Sequence, residues 1–340
     1  MVGGGKIKYS VKEEDLGWNN PNKTQKQKDL MSFRAKLLNS RIKYPLTLKV
    51  KFAERRIQAA ITKYGLEQCF IGFSGGKDST VLSHIATSMG YKVDHVYSNT
   101  GLEYPECISF AIDWCKQYDL NLIFITPDIR PIEVWKKYGY PVFSKDVAET
   151  LERLRTGKQV AKKIKQRAQK YLKYQNVPIS AKCCKYLKTE PMKKYRIESG
   201  KKLSILGTRS GESRRRRMVW IRKGCLYETR DNGNICNPLA FFTEEDIWAY
   251  AKKHNIKFAE IYQRGIERNG CYCCGFGCNA RKDFNVYSIL KRDYPALWNT
   301  VMDKWGFREI LNACDVDIQE KITLKKWSEK NTAHCKQSRK

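Results

Sequence analysis

The sequence lacks any long hydrophobic run. No window approaches the roughly 20 consecutive apolar residues that a membrane-spanning helix needs, and residues 1–18 lack the hydrophobic core of a secretory signal. We therefore expect a cytoplasmic protein with no membrane partner. In that reducing compartment its 13 cysteines are expected to be thiols, metal ligands or redox residues rather than a disulfide framework.

Acidic residues are scarce relative to basic ones. The chain has 65 Lys and Arg against 35 Asp and Glu, which gives a formal net charge of +30 over 340 residues. This excess is larger than solubility requires and favours a polyanionic partner or substrate. A hydrophobic content of 41% is enough for a packed core, so disordered and fibrous classes are excluded.

Composition divides the chain into three parts. Residues 1–45 are polar and without sustained periodicity, which predicts a basic N-terminal arm at the periphery. Residues 46–265 are expected to form the main domain, and 266–340 a cysteine-rich loop followed by a helical region. Within the main domain, a basic helical insert over 151–175 is either an ordinary solvated surface or a track for the phosphates of a nucleic acid. The sequence leaves both readings open.

Short apolar runs alternate with helical patterns in the main domain. Strands are predicted at 69–73, 93–97, 122–125 and 203–206, and helices at 80–89, 105–118 and 243–254. This order predicts an α/β fold with a doubly wound parallel sheet. Ligands of such sheets bind at the carboxyl ends of the strands.

A glycine-containing loop separates the first predicted strand from the helix that follows. Gly75 and Gly76 allow backbone N–H groups to approach phosphate oxygens, and the helix N-terminus adds a favourable dipole. Lys77 and Ser79 can complete this cradle. The spacing is shorter than that of the GxxxxGK[ST] loop of kinases and GTPases, and Asp78 interrupts it.

An arginine follows the fourth predicted strand. The guanidinium of Arg209 matches phosphate or sulfate bidentately, so we expect it at the ligand-binding edge of the sheet. The four consecutive arginines at 214–217 cannot all face one pocket. Some of them must be surface charges or nucleic-acid contacts.

Four thiols have the spacing of metal ligands. Cys183 and Cys184 are adjacent, and Cys271 and Cys274 form a CxxC pair. A thiolate-only set selects an iron–sulfur cluster or zinc over hard cations. The residues alone leave both open.

Several segments resemble known families. The loop Ser74-Gly75-Gly76-Lys77-Asp78-Ser79 is similar to the PP-loop of the adenine-nucleotide alpha-hydrolase superfamily, whose members usually split ATP between the α and β phosphates. Other segments resemble, in the same order, those of the phosphoadenosine phosphosulfate (PAPS) reductase family: residues 98–106, 183–192, 207–217, 237–239, 246–248 and 270–274. The resemblance runs from about residue 50 to 280, with Asn99 in place of the usual Asp.

The resemblance implies a set of site residues. It implies an adenine-nucleotide site that holds ATP with Mg²⁺, formed by Ser74, Gly75, Gly76, Lys77, Asp78, Ser79, Thr100, Gly101, Gly207 and Arg209. We expect the catalytic residues among these to be Lys77, Asp78 and Arg209.

The cysteine spacing resembles that of adenylyl-sulfate reductases, in which a CC pair and a later CxxC ligate one 4Fe-4S cluster. It implies Cys183, Cys184, Cys271 and Cys274 as ligands, with zinc as the alternative metal. Whether Cys273 or Cys278 replaces one of the four stays open.

Two departures from those reductases bear on the reaction. They usually carry a degenerate phosphate loop, whereas this chain keeps the full loop, which favours ATP as the nucleotide. They also end in a tail whose cysteine attacks sulfur. Here Cys335 stands in a basic tail beside His334 and Lys336, which can lower a thiol pKa, although a lone terminal cysteine is more often incidental.

Three functions follow from these motifs. The leading hypothesis is an ATP-using sulfurtransferase, in which ATP adenylates an acceptor and sulfur delivered through the cluster or a cysteine displaces AMP. The basic insert makes a nucleic acid, tRNA or DNA, an attractive acceptor, and a sulfur-donor protein a further partner. The alternatives are a PAPS or adenylyl-sulfate reductase, and a nucleic-acid-binding module with a bound nucleotide and a structural metal.

Overall fold

The computed structural model describes residues 24–229, 233–278, 286–316 and 318. The chain divides into two units, each made of three segments. Unit 1 comprises Met1–Asn99, Pro105–Thr126 and Thr189–Tyr262, and unit 2 comprises Thr100–Tyr104, Pro127–Lys188 and Gln263–Lys340.

Unit 1 contains a six-stranded sheet, and unit 2 contains a sheet of two short strands. In chain order the strands are β1 (Cys69–Gly72), β2 (Asp94–Ser98), β3 (Leu122–Ile125), β4 (Val142–Phe143), β5 (Leu203–Leu206), β6 (Leu226–Thr229), β7 (Gly233–Cys236) and β8 (Gly275–Phe276). The larger sheet has the order β3-β2-β1-β5-β7-β6. All its pairs are parallel except β6 with β7. The predicted α/β fold with a parallel sheet is confirmed.

The described part of the chain also contains fourteen α-helices. They are α1 (Gln25–Ile42), α2 (Leu46–Tyr64), α3 (Lys77–Ser88), α4 (Pro105–Gln117), α5 (Pro131–Tyr138), α6 (Lys145–Arg155), α7 (Lys162–Arg167), α8 (Lys182–Cys184), α9 (Glu190–Glu198), α10 (Arg214–Lys223), α11 (Glu244–Lys253), α12 (Val286–Asp293), α13 (Pro295–Asn299) and α14 (Phe307–Ala313). A π-helical turn, Lys185–Thr189, joins α8 to α9.

The core of unit 1 is built on β1. Its residues Cys69, Phe70 and Ile71 are all buried, as expected of a central parallel strand covered on both faces. Helix α2 contributes Ile57 at helical spacing from Ala53, and both are fully buried. This packing fixes the carboxyl end of β1, where the glycine loop begins.

The N-terminal prediction requires a correction for residues 24–45. Thr24 caps α1 in a capping box with Gln27, and one face of the helix is buried, through Met31, Leu38 and Ile42. These side chains join a cluster with Ile221 of α10. This segment is therefore a packed helix of unit 1 and not a peripheral arm; residues 1–23 lie outside the described residues.

The basic insert belongs to unit 2. Residues 151–175 cover the end of α6, the short α7 and a 3₁₀ helix, Gln169–Tyr174. The insert shares unit 2 with the cysteine-rich loop and helices α12 to α14, so the units do not follow the predicted boundary at 265.

No helix within the described ranges is long and apolar enough to cross a membrane.

Candidate functional site

The glycine loop follows β1 and leads into α3. Gly75 has a φ of +64°, and a Cβ at this position would lie 2.4 Å from the carbonyl oxygen of Cys107. Only glycine fits here, because the backbone conformation is left-handed and the backbone of Cys107 lies too close for a Cβ. Gly76 is the N-cap of α3, so the loop presents the first N–H groups of a helix of 12 residues.

Hydroxyl groups stabilise the loop from within. The Oγ of Ser79 donates to the carbonyl of Gly76 at 2.8 Å and accepts from the backbone N–H of Ser74 at 3.3 Å. Thr80 donates to the same Gly76 carbonyl at 3.1 Å. The loop is thereby held in shape by its own side chains.

Lys77 is buried at the start of α3. Its side chain is 2% exposed, and its Nζ lies 3.0 Å from Oε1 of Glu244 and 4.9 Å from the ring centre of Tyr262. Glu244 stands in the first turn of α11, which Thr243 caps. The buried ammonium group is therefore paired with a carboxylate, as burial of a charge requires.

Arg209 joins the same group of charges. Its Nε lies 2.5 Å from Oδ1 of Asp78, and its Nη2 lies 2.7 Å from Oε2 of Glu244. Burial lowers the pKa of Arg209, but Asp78 and Glu244 more than offset this and raise it overall. Burial raises the pKa of Glu244, yet Lys77 and Arg209 bring it below its ordinary value. Both groups are thus held in their charged forms.

Gly207 allows this arrangement to form. A Cβ at Gly207 would lie 2.8 Å from the carbonyl oxygen of Asp78, so the chain leading to Arg209 passes directly against the loop. Of the predicted residues, Lys77, Asp78, Gly207 and Arg209 are brought together.

Sequence reasoning missed two residues of this site. The hydroxyl of Tyr262 accepts the backbone N–H of Lys77 at 2.8 Å, and burial raises the pKa of that hydroxyl. Glu244 lies in the first turn of the predicted helix 243–254, and nothing in that helix pattern points to the loop. Neither carries a local motif, since each contacts the loop across more than 160 positions of sequence.

Thr100 and Gly101 belong to unit 2, whereas the glycine loop belongs to unit 1. Glu103 accepts the Thr100 N–H at 2.9 Å and the Thr100 hydroxyl at 2.9 Å. Nζ of Lys188 lies 3.1 Å from the same carboxylate. Thr100 therefore orders a turn around a buried carboxylate, and Gly101 at φ +75° completes that turn.

The four predicted cysteine ligands lie together in unit 2. A hydrogen bond from the Cys183 thiol lowers the pKa of Cys184 to about 6, with help from Lys145 and Lys188, and raises the pKa of Cys183. Burial raises the pKa values of Cys271 and Cys274, and the charge of Cys184 raises both further. The two pairs are thus close enough to interact electrostatically.

The two additional cysteines have different surroundings. The carbonyl of Cys273 accepts the hydroxyl of Tyr287 at 3.2 Å, and burial raises the pKa of the Cys273 thiol. Cys278 interacts instead with Tyr287 and Cys314. Within the described ranges, no three His, Cys, Asp or Glu side chains are grouped as ligands of a single metal ion. Cys335 lies outside the described residues.

A parallel sheet whose strand β1 ends in a glycine loop, with buried cations beside that loop, defines an α/β protein with a candidate ligand site at the strand ends. The chain belongs to the phosphoadenosine phosphosulfate reductase domain family, whose model matches residues 68–154 and 142–275. The predicted family membership is confirmed.

The relatives are distant. An uncharacterized protein of Methanocaldococcus jannaschii is 25% identical over 274 residues, which cover 77% of this chain and 55% of the relative. The adenosine 5'-phosphosulfate reductase of Allochromatium vinosum is 28% identical over 101 residues, 30% of this chain and 38% of that enzyme. The chain thus spans about half the length, or less, of these relatives.

One solved structure with a similar arrangement is the phosphoadenylyl-sulfate reductase of Candida auris in its phosphate complex. It is 14% identical to this chain, with a TM-score of 0.42, and the match covers 64% of this chain and 87% of that one.

Proposed function

We propose that this protein binds ATP at the Ser74–Ser79 loop and cleaves it between the α and β phosphates in order to adenylate an acceptor. The observation that carries the proposal is the convergence of Lys77 and Arg209 on one carboxylate, at 3.0 and 2.7 Å. Two buried cations that reach one anion beside a helix N-terminus can also hold the oxygens of a phosphate chain.

The residues divide the work between them. An acceptor oxygen attacks the α phosphorus, the bond to the bridging oxygen breaks, and pyrophosphate leaves with the bonding electrons. Lys77 and the loop N–H groups stabilise the negative charge of the departing pyrophosphate, and Arg209 stabilises charge on the α phosphate. Asp78 positions Arg209 through the 2.5 Å contact.

A magnesium ion fits the donors present. The carboxylates of Asp78 and Glu244 are the oxygen ligands that Mg²⁺ prefers, and both side chains are accessible, at 25% and 44%. When bound, the ion would neutralise phosphate charge.

The second step is sulfur transfer, in which a sulfur nucleophile from a donor protein displaces AMP from the adenylated acceptor. The four thiols Cys183, Cys184, Cys271 and Cys274 fit a 4Fe-4S cluster by their donor type and shared location. Such a cluster would supply redox chemistry.

The proposal is tested by measuring pyrophosphate release from ATP, with candidate acceptors added. Release that requires Lys77 and Mg²⁺ would support it. The absence of pyrophosphate with any acceptor, under conditions in which ATP binding is saturated, would exclude it.

A second candidate is a sulfonucleotide reductase. What favours it is that several relatives are adenosine 5'-phosphosulfate reductases, among them the Allochromatium vinosum enzyme. Such an enzyme forms sulfite and AMP from adenylyl sulfate, with two thiols supplying two electrons as they form a disulfide, and releases no pyrophosphate. Sulfite formation from adenylyl sulfate with reduced thioredoxin, without pyrophosphate formation from ATP, would select it.

A further inference from the structure

One segment of unit 2 is strongly basic. From residue 153 to residue 188 the chain has no Asp or Glu, while 12 positions are Lys or Arg. Nine of these cations are exposed: Arg153, Lys158, Lys162, Lys163, Lys165, Arg167, Lys170, Lys173 and Lys185. A surface with this density of positive charge attracts a polyanion.

Aromatic rings lie among these cations. Tyr171 and Tyr174 pack on Phe143, with ring centres 4.6 and 5.1 Å apart. Nζ of Lys170 and of Lys173 lie 5.0 and 4.7 Å from the centres of the neighbouring tyrosine rings. These tyrosines secure the basic segment to the body of unit 2.

A different tyrosine pair lies at the edge of this surface. The rings of Tyr138 and Tyr186 are parallel, with centres 4.8 Å apart and an angle of 11° between them. Lys137 and Lys185 place their Nζ atoms 5.4 Å from the respective ring centres. We call these four residues the tyrosine platform.

The tyrosine platform is held in place without being part of the core. Nη2 of Arg155 donates to the carbonyl of Tyr138 at 3.2 Å and to that of Ile179 at 3.0 Å. This arginine thereby joins the end of α6 to the end of α5. Trp135, one turn earlier in α5, is 1% exposed, whereas both platform tyrosines are only half-buried.

We propose that this face of unit 2 binds single-stranded nucleic acid, with the exposed cations along 153–173 contacting phosphates and the tyrosine platform stacking a base. Parallel aromatic rings flanked by cations suit an unpaired base, which offers a flat face and adjoining phosphates. A duplex hides its base faces. A lipid surface fits less well, since Ile164 is the one large apolar side chain that is strongly exposed among the described residues of unit 2.

The binding does not depend on the ATP chemistry proposed above, and the two can fail separately. We would measure anisotropy of a fluorescent mixed-sequence oligonucleotide, as single-stranded RNA, single-stranded DNA and duplex DNA, with the full chain over a series of salt concentrations. We expect either single strand to bind more tightly than the duplex. Preference for RNA or DNA identifies the natural source of the ligand. Lys77→Ala, which removes the cation from the nucleotide site, should leave this binding unchanged.

Variants separate the two parts of the surface. Tyr138→Ala or Tyr186→Ala should raise the Kd for single strands about fivefold or more, while Tyr138→Phe, which keeps the ring, should not. The triple change Lys158→Ala, Lys162→Ala and Lys165→Ala should reduce the slope of log K against log salt by about 2. The matched control changes three exposed lysines of unit 1, Lys51, Lys116 and Lys257, and should leave the slope unchanged.

Circular dichroism and thermal melting would establish that each variant is folded. The proposal is overturned if folded tyrosine variants bind single strands as well as the original protein does. It is also overturned if the duplex binds as tightly as the single strands, or if the control triple variant lowers the slope as much as the test variant.

Discussion

Nζ of Lys77 lies 3.0 Å from Oε1 of Glu244. The ammonium group that the loop would offer to a phosphate is therefore already paired with a carboxylate. The same carboxylate reaches Arg209 through its other oxygen at 2.7 Å. Glu244 therefore satisfies both charges when no phosphate is present. A nucleotide that binds here has to take over these contacts.

Replacing Glu244 by Gln should strengthen the binding of inorganic pyrophosphate in the absence of Mg²⁺. The neutral amide no longer competes as an anion for Lys77 and Arg209, and it no longer repels the negatively charged pyrophosphate. Because Glu244 is 44% exposed, we expect a modest gain of about fivefold in affinity. Isothermal titration calorimetry measures it. Weaker binding by Glu244→Gln without Mg²⁺ would contradict a competing role for the carboxylate.

Replacing Lys77 by Ala should reduce pyrophosphate release from ATP by about 100-fold to 1,000-fold, because a buried cation at the departing phosphates is removed. The control is Lys92→Ala. Lys92 is 62% exposed and pairs with Asp119, which is 89% exposed, so its loss should change neither activity nor stability appreciably. Equal activity of Lys77→Ala and the original protein would show that Lys77 of the loop takes no part in the reaction.

Gly75→Ala should destabilise unit 1 and abolish nucleotide binding. The new Cβ would meet a backbone carbonyl at 2.4 Å, at a φ of +64°, so the loop would have to move. Gly90→Ala is the matched control, because Gly90 also has a positive φ, of +84°, but nothing within 4 Å of its Cβ position. The control should cost only about 1–2 kcal/mol, measured by urea unfolding, and should retain binding; similar losses in both variants would argue against the close contact.

The stability of unit 1 should fall as the pH drops from about 6.5 to about 4. Burial lowers the pKa of His95 to about 4, against smaller opposing effects of Val93 and Asp94. Its ring nitrogens lie 2.7 Å from the Ser83 hydroxyl and 2.7 Å from the Val93 carbonyl.

The sign follows from which state binds the proton. Between these pH values the unfolded chain is protonated at His95 and the folded chain is not, so stability is complete above the unfolded pKa and decreases below it. The contribution is about 3 kcal/mol. Urea unfolding across this range should show the decrease in the original protein and a smaller one in His95→Asn. His254→Asn, at an exposed histidine, should keep the full decrease; a full decrease in His95→Asn as well would assign it to other groups.

Protein purified without oxygen should contain about four irons and four sulfides per chain. Each of Cys183→Ala, Cys184→Ala, Cys271→Ala and Cys274→Ala should lose most of both, whereas Cys273→Ala and Cys278→Ala should retain them. Cys115→Ala, a buried thiol in the core of unit 1, controls for general destabilisation. A result of stoichiometric zinc without sulfide would show that these thiols hold a structural metal and not a cluster.

The sequence predicted four strands of the larger sheet because each lies in a short run rich in apolar residues. β1 and β3 are almost entirely apolar, whereas β2 and β5 include polar residues. The parallel pairing of these strands follows from the helices between them. β6 and β7 were not predicted, because an edge hairpin with half of β6 exposed lacks such a run. The packed helix α1 was missed as well, since only three of its 18 residues are buried.

Only those residues of the candidate site that belong to a short continuous sequence motif could be predicted. The loop is a continuous motif between one strand and the helix that follows it, and Arg209 follows a recognisable strand. Glu244 and Tyr262 come from later segments, and no spacing rule reaches across such distances. Their contribution depends on tertiary packing, which a linear pattern does not encode.

The interleaving of the two units along the chain restricts how this architecture can be altered. The polypeptide passes from unit 1 to unit 2 and back more than once, so no single cut releases either unit as one continuous piece. A recombination event at one point in the gene would therefore break both units together. Exchange of the cysteine-bearing unit between relatives has to proceed by accumulated substitutions or by replacing several segments in concert.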